Sequence, residues 1–146
     1  VGVTFDARLK AALSAIHPTP TADEARAIID VARLAAAADK RSDVGETSLL
    51  IGLTQLLCEM SGTAMPDFTA KVDASRLMSI GDALEPMGAR ELAFACAYLV
   101  VIQDLTLTDE EKQLIEALPA ALVIDPERAR QLGGDMETLI RAATTA

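Results

Sequence analysis

The chain has very few aromatic residues. They make up 3% of its 146 residues and Trp is absent, although hydrophobic residues account for 51%. A core must therefore be built from Ala, Leu, Ile, Val and Met, of which Ala, Leu and Met are among the strongest helix formers. No stretch alternates apolar and polar residues as a half-buried strand would. The composition predicts an all-α protein.

Cysteine and histidine are also scarce. Cys58 and Cys96 lie in apolar stretches without Cys-x-x-Cys spacing, which predicts reduced thiols in a cytoplasmic protein rather than a disulfide framework. The one histidine, His17, precedes Pro18 and is expected at the surface, at the end of a helix. Because no nucleophile–base pair and no Gly-rich phosphate loop is present, we expect a protein that is not an enzyme.

Long apolar runs are missing as well. The longest, LAFACAYLVVI at 92–102, is shorter than the roughly 20 residues that a membrane-spanning helix needs. The segment VGVTFDARLK at the start of the chain has no apolar stretch of the kind found in secretion signals. We therefore expect no direct insertion into a membrane.

Positive charge is in short supply. The chain has 13 Lys and Arg against 22 Asp and Glu, which gives a net charge of −9. Nucleic acids select basic faces, and so do anionic membrane surfaces, so neither is an expected partner. The electrostatic complement is a cation or a basic protein surface, although solubility alone is a sufficient reason for such a charge.

Apolar periodicity and helix-breaking residues predict about seven helices in one domain spanning 1–146. Thr21 and Glu24 form a capping box, and Pro126 suits the first position of the last helix. Gly133–Gly134 is expected to interrupt that helix and divide it in two. The predicted helices cover 5–16, 21–38, 43–60, 74–85, 88–103, 108–122 and the segment from 125 onward.

The sequence repeats itself when it is shifted so that Ala32 aligns with Ala97, a displacement that we call the repeat offset. Seven identities align at this offset, and in both copies they fall on a helix, a short loop and a second helix. The copies cover approximately 28–60 and 93–125, and they predict two pseudo-symmetric helical hairpins packed as a bundle. The identities are Ala32 with Ala97, Leu34 with Leu99, Asp39 with Asp104, Glu46 with Glu111, Leu49 with Leu114, Leu53 with Leu118 and Leu57 with Leu122.

The acidic members of the repeat are candidate metal ligands. Asp39 and Asp104 end a predicted helix, where the helix dipole disfavours a carboxylate, and Glu46 and Glu111 lie in the first turn of the next helix. Carboxylates that converge across each turn would bind a divalent ion, calcium or magnesium by preference and zinc as a further option. The structural alternative is that the glutamates complete capping boxes and the aspartates accept backbone N–H groups in the turns.

Two segments carry a resemblance to a known family. AADKRSDVGE at 37–46 and IQDLTLTDEE at 102–111, with the helices containing FACAYLVV and LIEALPAALVIDPE, resemble the TerB-like tellurite-resistance domain. The motif of that family is A-D-G-x-[IV]-x-x-x-E, and the resemblance covers most of the chain from the second predicted helix onward. Lys40 and Leu105 stand where the family has Gly, and Ser42 replaces the aliphatic residue that the second copy keeps as Leu107.

The resemblance implies an all-helical fold with two pseudo-symmetric halves and a metal held by Asp39, Glu46, Asp104 and Glu111. It also implies a non-catalytic module in bacterial tellurite or stress resistance. Such a module would be cytoplasmic, at the inner face of the membrane, with membrane-bound stress-response proteins as partners. The alternative is a protein-interaction scaffold without metal, in which the acids only cap helices and balance nearby Lys and Arg side chains.

Overall fold

The prediction of an all-α protein is confirmed. A computed structural model of the chain describes residues 5–17, 19–37, 44–62, 84, 87–102 and 109–145, and these residues contain helices and no strand. The six helices are α1 (Phe5–Ile16), α2 (Ala22–Ala37), α3 (Val44–Ser61), α4 (Met87–Ile102), α5 (Asp109–Ala121) and α6 (Pro126–Thr145).

Six helices lie in the described residues, against about seven expected from the sequence. The predicted helix at 74–85 falls outside the described residues except for Leu84, which is not helical and whose side chain is buried. The bounds of the other predicted helices agree with the structure to within one or two residues, since breakers and caps mark their ends.

The expected interruption at Gly133–Gly134 is wrong, because α6 runs without a break from Pro126 to Thr145. Two glycines cost a helix about 2 kcal/mol relative to two alanines, but packing against the core offsets that cost. Gly133 is buried beneath Tyr98, and a Cβ atom on Gly133 would lie 3.0 Å from the Cε2 atom of that ring. The missing side chain lets α6 pack closely on α4.

Helix α4 forms the centre of the bundle and contacts all five of the other described helices. Every residue from Leu92 to Ile102 except Tyr98 is buried. A helix that is apolar on all sides is stable only when other elements surround it, so the apolarity of this segment explains its central place. No described helix combines the length and the apolarity needed to cross a bilayer.

The other helices bury one stripe each. On α2 the buried stripe includes Ile28, Val31 and Ala32, as the periodicity predicts, and this helix forms its most extensive interface with α4. On α3, Leu53 and Leu57 are fully buried. The described helices thus share one hydrophobic core, built mainly from aliphatic side chains together with Cys58, Cys96 and Met136, in which Phe94 is the buried aromatic residue.

Candidate functional site

The four predicted metal ligands lie largely outside what the structure describes. Asp39 and Asp104 belong to 38–43 and 103–108, which are not among the described residues, and the side chains of Glu46 and Glu111 are not described either. The backbone of each glutamate is described, and each is the third residue of its helix, α3 or α5. No group of three or more potential metal ligands lies in the described part of the chain, but that part includes none of these four carboxylates.

Three of the four pairs of corresponding helix bounds follow the repeat offset of the sequence, whereas the ends of α3, at 61, and of α5, at 121, do not. Helix α2 begins at 22 and ends at 37, and α4 begins at 87 and ends at 102, so the offset relates both ends of the two helices. The same offset relates the start of α3, at 44, to the start of α5, at 109. Both pairs of helices are therefore separated by the same number of residues, and each separating segment contains one of the two aspartates. The offset thus extends from residue identities to the ends of helices.

A third glutamate, Glu24, occupies the same helical position as Glu46 and Glu111, and its side chain is described. It is the third residue of α2. Its Oε1 accepts a hydrogen bond from the backbone N–H of Thr21 at 2.9 Å, and its own backbone N–H donates to Oγ1 of Thr21 at 3.2 Å. This reciprocal pair is a capping box, so the prediction made from Thr21 and Glu24 is confirmed.

Glu24 also pairs with the only histidine of the chain. Nε2 of His17 lies 3.1 Å from Oε1 of Glu24, and the side chains are 18% and 10% exposed. His17 directly follows the last residue of α1, as predicted, but its side chain is part-buried rather than fully at the surface, because the ring packs between the end of α1 and the start of α4. A Cβ atom on Gly88 would lie 2.9 Å from Nδ1 of His17, so a glycine at this position admits the ring.

The electrostatics of this cluster favour the ionised carboxylate. Burial alone would raise the pKa of Glu24, but the hydrogen bond from the Thr21 backbone and the hydrogen bond and charge of His17 together hold the pKa below its ordinary value. One oxygen of the carboxylate already has two partners. The cluster of His17, Thr21 and Glu24 therefore joins α1 to α2, which is a structural role.

The cysteines are core residues. Cys96 is fully buried and Cys58 nearly so, and neither forms a disulfide. Burial raises the pKa of the Cys96 thiol to about 12 and raises that of Cys58 as well. Because the thiolate is the reactive form, burial lowers the reactivity of both thiols near neutral pH.

The turn between α5 and α6 has an unusual backbone. The N–H of Ile124 donates to the carbonyl of Pro119 at 2.8 Å, and the N–H of Val123 donates to that of Ala120 at 3.3 Å. These two bonds define a Schellman motif, in which the residue at the position of Val123 adopts a left-handed conformation and is usually glycine. Val123 has a φ of 56°, a conformation that branched side chains rarely adopt.

The residues that follow continue directly into α6. Oδ1 of Asp125 accepts the backbone N–H of Glu127 at 2.9 Å, and Pro126 is the first helical residue. Asp125 is therefore the N-cap, and the prediction of Pro126 at the first helical position is confirmed. The turn is fixed on both sides by helix caps.

A shallow groove lies over this turn. Its apolar lining comes from Pro119, Ala120, Val123, Ile124 and Pro126, and its acidic lining comes from Glu116 and Asp125. Val123 is 65% exposed, more than any other large hydrophobic residue in the described part of the chain. Sequence reasoning missed this feature, because a valine after a helix does not by itself indicate a left-handed conformation.

Comparisons with known proteins add no identity to this geometry. The chain matches no family model, no curated protein and no solved structure.

Proposed function

We propose that the chain is a non-catalytic, TerB-like module that binds a divalent cation through Asp39, Glu46, Asp104 and Glu111. The observation that supports this proposal is the equal spacing of the helices, which gives the two acid pairs the same position relative to helix ends. Pseudo-symmetric helical hairpins are the simplest arrangement with this spacing. Oxygen ligands of this kind suit calcium or magnesium, and zinc is the further option.

The cellular role follows from the resemblance to TerB-like domains. The module would act in bacterial tellurite or stress resistance, in the cytoplasm at the inner face of the membrane, with membrane-bound protein partners. A net charge of −9 makes a cation or a basic protein surface the natural complement of this chain.

The competing proposal is a protein-interaction scaffold without metal, and one observation favours it. Glu24, the third residue of α2, has its carboxylate engaged in a capping box. Glu46 and Glu111 are also third residues of helices, and Asp43 and Thr108 precede them at the spacing of Thr21. The two glutamates would then serve only as helix caps, so the aspartates are the residues that distinguish the proposals.

Thermal unfolding with calcium, magnesium or zinc, after treatment with a chelator, tests the metal proposal. An ion at 100 times its dissociation constant adds about 2.7 kcal/mol to the free energy of unfolding, which corresponds to roughly 5–10 °C for a chain of this size. We expect Asp104→Asn to abolish this increase in the melting temperature. If no ion raises the melting temperature of the unmutated chain, the metal proposal fails.

Glu111→Gln separates the two roles of the glutamate. A glutamine still completes a capping box, but it lacks the charge of a carboxylate ligand. We expect this variant to keep its stability without metal and to lose the increase caused by the ion. Glu110→Gln is the matched control, because Glu110 is an exposed neighbour in the same helical turn. If both variants reduce the ion-induced increase in melting temperature equally, the ion is attracted diffusely by surface charge.

A further inference from the structure

The groove over the turn between α5 and α6 has a chemistry that selects its occupant. Five of its lining residues are apolar, the other two are the carboxylates Glu116 and Asp125, and none is basic. Both acidic side chains are exposed, and Glu116 forms no ion pair within the part of the chain that the structure describes. Such a surface complements a ligand with an apolar centre and positive charges beside it.

Val123, which lines the groove, is not the residue type that folding favours at its position. A left-handed conformation costs a residue with a Cβ atom roughly 1–2 kcal/mol, and glycine avoids this cost. Val123 nevertheless places a branched apolar side chain there, and most of that side chain faces solvent. Because this side chain is exposed, its contacts within the chain offset little of the strain. Strained residues of this kind are concentrated at binding sites, where the side chain is kept for its contacts.

Hydrogen bonds and burial hold the walls of the groove in place. The hydrogen bonds to the carbonyls of Pro119 and Ala120 fix the end of α5, and the Asp125 cap fixes the start of α6. Ile124 lies between them with 5% of its surface exposed and anchors the turn in the core. A surface that is already ordered loses little conformational entropy when a ligand binds, so a short segment can bind it usefully.

We propose that this groove binds a segment of a partner protein in which an apolar side chain is flanked by lysine or arginine. The apolar side chain packs on Val123 and Pro119, and the basic side chains pair with Glu116 and Asp125. A second copy of this chain is a poor occupant, because two molecules with a charge of −9 repel each other. None of the four proposed metal ligands lines this groove, so either proposal can fail without the other.

Selection from a displayed library of random nine-residue peptides against the whole chain tests the proposal. We expect the enriched peptides to combine a Leu, Ile or Phe with neighbouring Lys or Arg, and their affinity to fall as salt is raised. Enrichment of acidic or uncharged peptides, or no enrichment, would overturn the proposal.

Binding of the enriched peptides to variants, measured by fluorescence polarisation, locates the site. We expect Val123→Gly and Val123→Asn to raise the dissociation constant at least tenfold, and both residues suit the left-handed backbone. Glu116→Gln should raise it severalfold. The matched controls are Met87→Ala, at an exposed apolar residue of α4, and Glu110→Gln, at an exposed acid of α5.

Two results would contradict the proposed location. One is binding that is unchanged in both Val123 variants, since both residues suit the left-handed backbone and both remove the apolar side chain of Val123. The other is a dimer in sedimentation equilibrium that Val123→Gly dissociates, because the occupant of the groove would then be a second copy of the chain.

Discussion

The N-terminal end of α2 and the C-terminal end of α5 satisfy their backbone groups in contrasting ways. At α2, Thr21 and Glu24 are residue types that the capping box prefers, and His17 adds a third partner to the carboxylate. At α5, the hydrogen bonds of a Schellman motif form in full, but the left-handed position holds Val123 in place of glycine. The start of α2 has the residue types that its cap prefers. The end of α5 has the hydrogen bonds of its cap but a residue type that this cap disfavours.

The difference between the two helix ends shows which residue types folding explains and which need a functional explanation. The polar groups at α2 bind one another around the buried carboxylate of Glu24, so folding alone accounts for their identity. The side chain of Val123 is exposed, so folding accounts for the turn and leaves the residue type unexplained. Departures from local preference at exposed positions are where function is expected.

Removing the carboxylate of Glu24 at the start of α2 should have the largest effect on the free energy of unfolding. We expect Glu24→Ala to lower the free energy of unfolding by about 2 kcal/mol, because the Thr21 N–H and the His17 ring both lose a charged partner. Urea unfolding monitored by circular dichroism measures the change. Asp23→Ala is the control, since Asp23 is an exposed acid in the same turn and should change stability by no more than about 0.5 kcal/mol. Equal losses in the two variants would mean that the cluster contributes nothing specific.

Replacing the strained residue at the second helix end should have the opposite sign. We expect Val123→Gly to raise the free energy of unfolding by about 1 kcal/mol, because relief of the left-handed strain exceeds the entropy that glycine adds to the unfolded chain. The same urea experiment measures the gain. Val123→Ala keeps a Cβ atom at an exposed position and should change stability by less than about 0.5 kcal/mol. If alanine stabilises the chain as much as glycine, the strain is not in the backbone.

The same contrast explains how much of the fold could be predicted from the sequence. Helix bounds were predictable where a local signal marks the end of the helix, such as the proline after His17 or the Asp125–Pro126 pair. The continuity of α6 was not predictable, since it depends on Tyr98 of another helix packing over Gly133. Local sequence signals predict where helices begin and end, whereas contacts between residues distant in sequence decide where those predictions fail.

The candidate sites divide in the same way. The capping box was predictable from the spacing of Thr21 and Glu24. The pairing of His17 with Glu24 was not, because it depends on how the chain places the end of α1 against the first turn of α2. The strain at Val123 was also hidden, since it is a property of backbone geometry. The role of Asp39 and Asp104 stays a prediction, because both lie outside the described residues.

The smallest effect should be a dependence on pH that only one of the two helix ends shows. The folded-state pKa of Glu24 lies below its ordinary value, so the ionised carboxylate stabilises the fold above the unfolded-state pKa of about 4.3. This contribution is lost as the pH falls through the folded-state pKa. We therefore expect the stability difference between the unmutated chain and Glu24→Gln to be full at pH 7 and to shrink on acidification. Urea unfolding at several pH values measures it.

Val123→Gly is the control for this measurement, because the substitution adds and removes no titratable group. Its gain in stability should be the same at every pH at which the chain remains folded. Asp23→Asn controls for the general loss of carboxylate charge, since the Asp23 side chain is exposed in the same helical turn. A Glu24→Gln difference that stays constant down to the acid transition would mean that the hydrogen bonds at this helix end stabilise the protonated carboxyl equally well. The contrast with α5 would then lie in backbone geometry alone.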